Sequence, residues 1–171
     1  MSFLSPTANQ DKKPIDHRMQ LHDGKKLETS IVVKAAPEDV YRVWRDIENL
    51  PQIFPYLKLV EVKSATCSRW VLQPPPGPKM IQWDSEIIED IPGEMISWKT
   101  VGDSDIQHSG SVWFQQLPFD QGCAVRLHVI YALGEGPWEI LLEKLIENKS
   151  AEALLHGGLE HLKDFFEAPE V

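Results

Sequence analysis

The sequence predicts an α+β domain in which a curved antiparallel sheet of seven strands wraps around one long C-terminal helix, with two short helices after the first strand. Three observations predict it: strand-like alternation in seven segments, Pro- or Gly-containing turns between most of them, and a change of apolar period to 3.6 after Gly134-Glu135-Gly136-Pro137. At 171 residues and 42% hydrophobic content, the chain suffices for one core and is too short for two generous ones.

Residues 1–25 contain Pro6, Pro14 and Gly24 and show little periodicity, so they are expected to be an arm, poorly ordered or lying on the body, ahead of a domain spanning 26–168. In the first strand Leu27, Thr29, Ile31 and Val33 alternate with Glu28, Ser30, Val32 and Lys34. A helix then starts at Pro37, with Glu38 and Asp39 in its first turn, and carries Val40, Val43, Trp44 and Ile47 on one face. Leu50-Pro51 interrupts it, and Pro55 ends any further turn because proline cannot donate to the helical ladder. Strands are expected over 57–64, 67–73, 79–90, 94–101, 108–118 and 122–133. The terminal helix carries Ile140, Leu141, Leu145, Leu154, Leu155, Leu159, Leu162, Phe165 and Phe166 as an apolar stripe, with a bend expected near Asn148-Lys149-Ser150.

Pairing the strands through their turns orients the side chains. A turn in Pro74-Pro75-Pro76-Gly77-Pro78 sets Trp70 opposite Trp83 and Arg69 opposite Asp84, and one in Ile91-Pro92-Gly93 sets Ile87 opposite Trp98 and Glu86 opposite Lys99. A turn at Asp120-Gln121-Gly122 sets Phe114 opposite Leu127, Val112 opposite Val129 and Trp113 opposite His128. Because side chains alternate, Trp70, Trp83, Ile87, Ile96, Trp98, Val112, Phe114, Leu127 and Val129 then share one face, while Arg69, Asp84, Glu86, Lys99, Arg126 and His128 share the other. At one end of the apolar face a small, polar row is expected, with Ser85 opposite Thr100, Thr100 opposite Gly110 and Gly110 opposite Tyr131.

Composition narrows the function. The net charge of −9 comes from scattered acidic residues, which disfavours nucleic acid as a partner. Asn9-Gln10-Asp11-Lys12-Lys13 stands where a secretory signal needs an apolar core, and no apolar run reaches the length of a membrane span, so a cytoplasmic location without stable membrane insertion is expected. Cys67 and Cys123 form no metal or redox spacing and are expected to be reduced thiols. His156 and His161 are five apart and face different sides of a helix, so no metal and no cofactor is expected. A Gly-x-Ser-x-Gly elbow is missing, which argues against hydrolysis.

The stretch from Thr29 to Glu167 resembles the START-like helix-grip superfamily, in its polyketide cyclase/dehydrase and coenzyme-Q-binding branch. The likeness is carried by Ala36-Pro37-Glu38-Asp39-Val40-Tyr41-Arg42-Val43-Trp44, Glu48-Asn49-Leu50-Pro51, Ser68-Arg69-Trp70, Trp83-Asp84-Ser85-Glu86-Ile87, Pro92-Gly93-Glu94-Met95-Ile96-Ser97-Trp98, Gly110-Ser111-Val112-Trp113-Phe114 and Leu159-Glu160-His161-Leu162-Lys163. It implies a cavity between sheet and last helix that receives a hydrophobic small molecule. Where many relatives carry a Tyr-x-Pro-Pro-Gly type segment, this chain has Tyr131-Ala132-Leu133-Gly134-Glu135-Gly136-Pro137-Trp138, a departure at the cavity mouth.

The expected ligand-binding set is therefore Trp70, Trp83, Ser85, Ile87, Trp98, Thr100, Val112, Phe114, Leu127, Val129 and Tyr131 from the sheet, with Leu154 and Gly158 from the helix. Gly157-Gly158 costs helix stability, which close approach to the sheet, a hinge or room for a ligand would offset. The expected function is binding of a lipid, quinone or polyketide-like molecule. The alternatives are a polyketide-type cyclase or dehydratase, with no catalytic residue assigned, and a module that binds another protein.

Overall fold

A computed structural model describes residues 25–73, 78–102, 104–132, 144 and 150–168. The predicted arm, the proline-run turn, the start of the terminal helix and its expected bend lie outside the described residues. Seven antiparallel strands form one sheet: β1 (Lys25–Val33), β2 (Leu57–Val62), β3 (Cys67–Leu72), β4 (Ile81–Ile91), β5 (Met95–Val101), β6 (His108–Gln116) and β7 (Cys123–Tyr131). Their spatial order is β1-β7-β6-β5-β4-β3-β2, so the chain crosses from one sheet edge to the other through helix α1 (Pro37–Arg45) and a 3-10 segment at Ile47–Gln52. Helix α2 (Ser150–Glu167) lies against β1. This is the helix-grip arrangement the sequence predicts.

Local chemistry explains the elements. Pro37 opens α1 with Glu38 and Asp39 near its positive end, and the helix buries Val40 and Trp44. Between β4 and β5, Pro92 and Gly93 occupy a tight turn closed by Glu94 N–H to the Ile91 carbonyl, and Gly93 takes the positive φ of 77° that this turn requires. Helix α2 is tied to β1 by a Thr29 Oγ1 to His156 Nδ1 hydrogen bond of 2.8 Å and by Lys163 Nζ donating to the Val32 carbonyl at 3.0 Å.

The predicted registers of β3–β4 and β4–β5 hold: Trp70 faces Trp83, Arg69 faces Asp84, Ile87 faces Trp98 and Ser85 faces Thr100. Two others are displaced by two residues. Phe114 pairs with Val125, Val112 with Leu127 and Trp113 with Arg126, because the β6–β7 loop is a six-residue connection containing a 3-10 turn at Pro118–Asp120. Phe119 and Asp120 adopt positive φ there, so the turn centre lies ahead of the Asp-Gln-Gly that suggested it. Likewise Gly110 pairs with Trp98 and Val129, while Tyr131 pairs with His108. A slip of two preserves the period of two, so every side chain keeps its predicted face.

The core runs through Val33, Val40, Trp44, Leu50, Val112, Phe114, Val125, Leu127, Leu159 and Leu162. Phe165, assigned to the apolar stripe, is instead 61% exposed. The two helical glycines have different causes. A Cβ on Gly157 meets nothing within 4 Å, whereas one on Gly158 collides with the Phe54 ring. Close approach explains Gly158, but the neighbour is the segment after α1 and not the sheet. Gly157→Ala should therefore stabilise the protein by about 0.5–1 kcal/mol through helix propensity, while Gly158→Ala should cost about 1–3 kcal/mol through overpacking, both read from denaturant midpoints.

Candidate functional site

The concave face divides into two ends. At one end Val112, Phe114 and Leu127 are fully packed, with Phe114 held edge-on by Tyr41 at 5.9 Å and Trp44 at 6.3 Å between ring centroids. These three predicted ligand contacts sit in the closed core. At the other end Trp70, Trp83, Ile87, Trp98, Thr100 and Val129 are only half-buried, although each points inward. These inward side chains form one half-buried wall, with Trp70, Trp83 and Trp98 as its large aromatics. Leu154 is half-buried too, and Gly158 is buried against Phe54.

Cross-strand packing builds this wall. Trp70 and Trp83 stack with centroids 6.0 Å apart and planes 13° apart, and Trp70 Nε1 donates to Ser68 Oγ at 2.8 Å. Trp98 lies over Gly110, where a Cβ would come within 2.5 Å of its indole ring and 2.8 Å of the His128 carbonyl oxygen. The glycine predicted to leave room does so for Trp98.

The polar row is arranged differently from its prediction. Thr100 Oγ1 donates to Gln107 Oε1 at 2.8 Å and accepts the His108 N–H at 3.2 Å, so its hydroxyl is engaged locally. Ser85 is buried, with its hydroxyl directed at the Lys99 carbonyl at 3.5 Å, and Tyr131 is buried in a second cluster with Ile81 and Ile106. The residue that sequence reasoning missed is His108. It enters the inner face opposite Tyr131, and its ring packs edge-on against Trp83 at 5.0 Å and 81°. The residue as a whole is half-buried, yet Nδ1 is shielded from solvent and has no hydrogen-bond partner among the described residues. Desolvation lowers its pKa from 6.5 to about 4, so the imidazole is neutral near pH 7. The signal was the pairing itself: a register two residues different exchanges Gly110 for His108 opposite Tyr131.

The convex face carries the charges. Arg69 grips Asp84 through two hydrogen bonds of 2.9 and 3.2 Å, and that contact holds the Asp84 carboxyl below its usual pKa. A groove on this face is lined by Glu28, Ser111, Trp113, Arg126 and His128. It sets Ser111, His128 and Glu28 side by side across three strands, with His128 Nε2 3.3 Å from Glu28 Oε1. Ser111 is nevertheless buried, and its hydroxyl accepts the Trp113 indole N–H at 3.1 Å. Among the described residues no hydrogen bond joins Ser111 to His128. Among these residues no group of His, Cys, Asp and Glu is arranged to hold a metal ion, and no helix is long and apolar enough to cross a membrane. Both cysteines are unpaired, and burial raises the Cys123 thiol to about 11, far from reactive thiolate.

Residues 33–157 match the family described as polyketide cyclase / dehydrase and lipid transport. The chain belongs to that family. An uncharacterised 17.2 kDa protein of Streptomyces lincolnensis is 33% identical over 95 residues, covering 56% of this chain and 61% of that protein's length. Among solved structures, a Deinococcus radiodurans protein superposes with a TM-score of 0.65 at 24% identity, covering 83% of this chain and 98% of that one. The Zhui aromatase/cyclase of a Streptomyces species does so with a TM-score of 0.61 at 17% identity, covering 86% and 99%. At these identities the structural likeness carries the fold. Trp70 and Trp98 pack against the same core cluster as Leu159 and Leu162 of α2.

A desolvated His108 makes stability pH-dependent with a defined sign. Its folded pKa lies below the unfolded value of 6.5, so the unfolded chain binds a proton that the folded chain refuses, and stability present above pH 6.5 is lost as pH falls toward 4. Thermal midpoints of wild type and His108→Phe between pH 7 and 4 should converge or cross as pH falls, because the variant lacks this loss; parallel curves would mean that the ring is solvated.

Proposed function

We propose that this chain binds a hydrophobic, aromatic-bodied small molecule in the concave space between the sheet and the terminal helix. The observation that carries the reading is the half-buried wall of Trp70, Trp83, Trp98, Ile87 and Val129. An apolar ligand seated there gains about 25 cal/mol for each Å² of apolar surface removed from water. Membership of a family that includes lipid transport agrees with a carrier. The neutral His108 on the same wall favours a second reading, in which the cavity positions a poly-β-keto chain and the imidazole moves a proton during ring closure. The two separate experimentally: a carrier releases its ligand unchanged, whereas a cyclase converts a poly-β-keto thioester with loss of water. A role in binding a protein partner has no comparable support in the site.

Equilibrium titration with a saturating hydrophobic probe tests the binding reading. Trp98→Ala should weaken apolar probes by about tenfold, as expected for losing roughly 50 Å² of apolar contact, provided the variant stays folded. Trp113→Ala, on the convex face, should change affinity by less than about twofold. Equal effects of the two substitutions, or no saturable uptake of any lipid, quinone or polycyclic probe by wild type, would end the concave-site reading.

A further inference from the structure

The groove on the convex face carries charges that its own walls leave unanswered. Its lining includes Glu28 on β1, Arg126 and His128 on β7, Trp113 on β6 and, where the β4–β5 turn meets the start of α1, Glu94 and Glu38. Among the described residues Glu38, Glu94 and Arg126 take part in no ion pair, Glu28 pairs with His128, and Trp113 is 41% exposed. These groups stand in a fixed order. Glu28 lies opposite His128; two residues along, Arg126 lies opposite Trp113, which lies opposite Met95, the neighbour of Glu94. Crossing the sheet from β1 therefore meets an acid, a base, an aromatic ring and a pair of acids. With strands about 4.8 Å apart and residues rising about 3.4 Å along them, the diagonal from Glu28 to Glu94 is about 18 Å.

The chain itself carries the answering order beside this groove. Ahead of Lys25, where β1 begins, residues 1–24 hold the cations Lys12, Lys13 and Arg18 and the acids Asp11, Asp16 and Asp23, so complementarity lies in their order and not in their sum. Read back from β1, that order is Arg18, Asp16, Ile15, then Lys13 and Lys12. An extended stretch from Arg18 to Lys13 covers at most about 18 Å, the length of the diagonal. The seven steps from Arg18 to Lys25 readily span the three that separate Lys25 from Glu28.

We propose that residues 12–18 of this chain lie across the convex groove, with Arg18 at Glu28, Asp16 at Arg126, Ile15 on the Trp113 indole, and Lys12 and Lys13 at Glu94 and Glu38. The groove and the concave wall are on opposite faces of the sheet, so the two readings stand or fall separately.

Zero-length carbodiimide coupling joins a lysine amine to a carboxylate only where the two already touch, and it works on the full wild-type chain. Peptide mapping should find Lys12 or Lys13 joined to Glu94 or Glu38 within one molecule at least about tenfold more often than to Glu61 on β2, the opposite sheet edge, because docking raises the local concentration. Comparable coupling to Glu61, or none at Glu94 and Glu38, overturns the docking. Links found only between differently isotope-labelled molecules in a mixed sample overturn it in favour of a second copy. The Trp113 indole N–H resonance, assigned through Trp113→Phe, gives a second readout. It should shift in the full-chain Lys12→Glu/Lys13→Glu/Arg18→Glu variant, whose substitutions lie outside the groove and reach Trp113 only through docking. An unmoved resonance in that folded variant overturns the proposal.

Discussion

A curved sheet with one apolar face cannot stay in water uncovered, and the way that face is covered sets most of this molecule. Covering it requires an element that runs along the inside of the curve. Helix α2 does this beside β1, fixed by the Thr29–His156 and Lys163–Val32 contacts, and α1 closes the end where Phe114 lies under Tyr41 and Trp44. The β3–β5 side of the face is left with tryptophans that these helices do not fully bury. The proposed site lies where coverage by the described residues is incomplete.

The same constraint sorts the polar groups. On the convex face Arg69, Asp84 and Lys63 meet solvent, and their pairing contributes little beyond holding register. On the concave face the polar atoms are few and mostly engaged by neighbours in sequence or across strands. The half-buried His108 stands out there, since its Nδ1 has no hydrogen-bond partner among the described residues. Its position follows from a small neighbour: Thr100 on the intervening strand lets the rings of Trp83 and His108 meet across it.

Much of this was legible in the sequence, and the reason is periodicity. Alternation fixes which face a residue joins even when the pairing partner is misjudged, so Trp98, Gly110 and Val129 are correctly inward although two of the registers are displaced by two. The displacement arises from a backbone conformation that composition does not announce, above all the positive φ of Phe119, a bulky residue that rarely enters that region. Packing detail was less legible. The adjacent Gly157 and Gly158 look identical in sequence, but one faces open space and the other Phe54, a neighbour more than a hundred residues away. His108 escaped because an absolute register, and not merely a face, was needed to seat it opposite Tyr131. The family resemblance followed from the order of elements and the motifs around α1, β4 and β5, and the match over residues 33–157 agrees with it.

The proposed binding depends on ligands reaching the concave face at the tryptophan wall. The most direct measurement follows the indole N–H resonances of the wild-type protein, assigned by single substitutions, during titration with an aromatic probe. Saturable shifts are expected at Trp70, Trp83 and Trp98, with Trp113 on the convex face and Trp44 in the closed core unmoved. Shifts centred on Trp113, with the concave indoles unchanged at saturation, would contradict it.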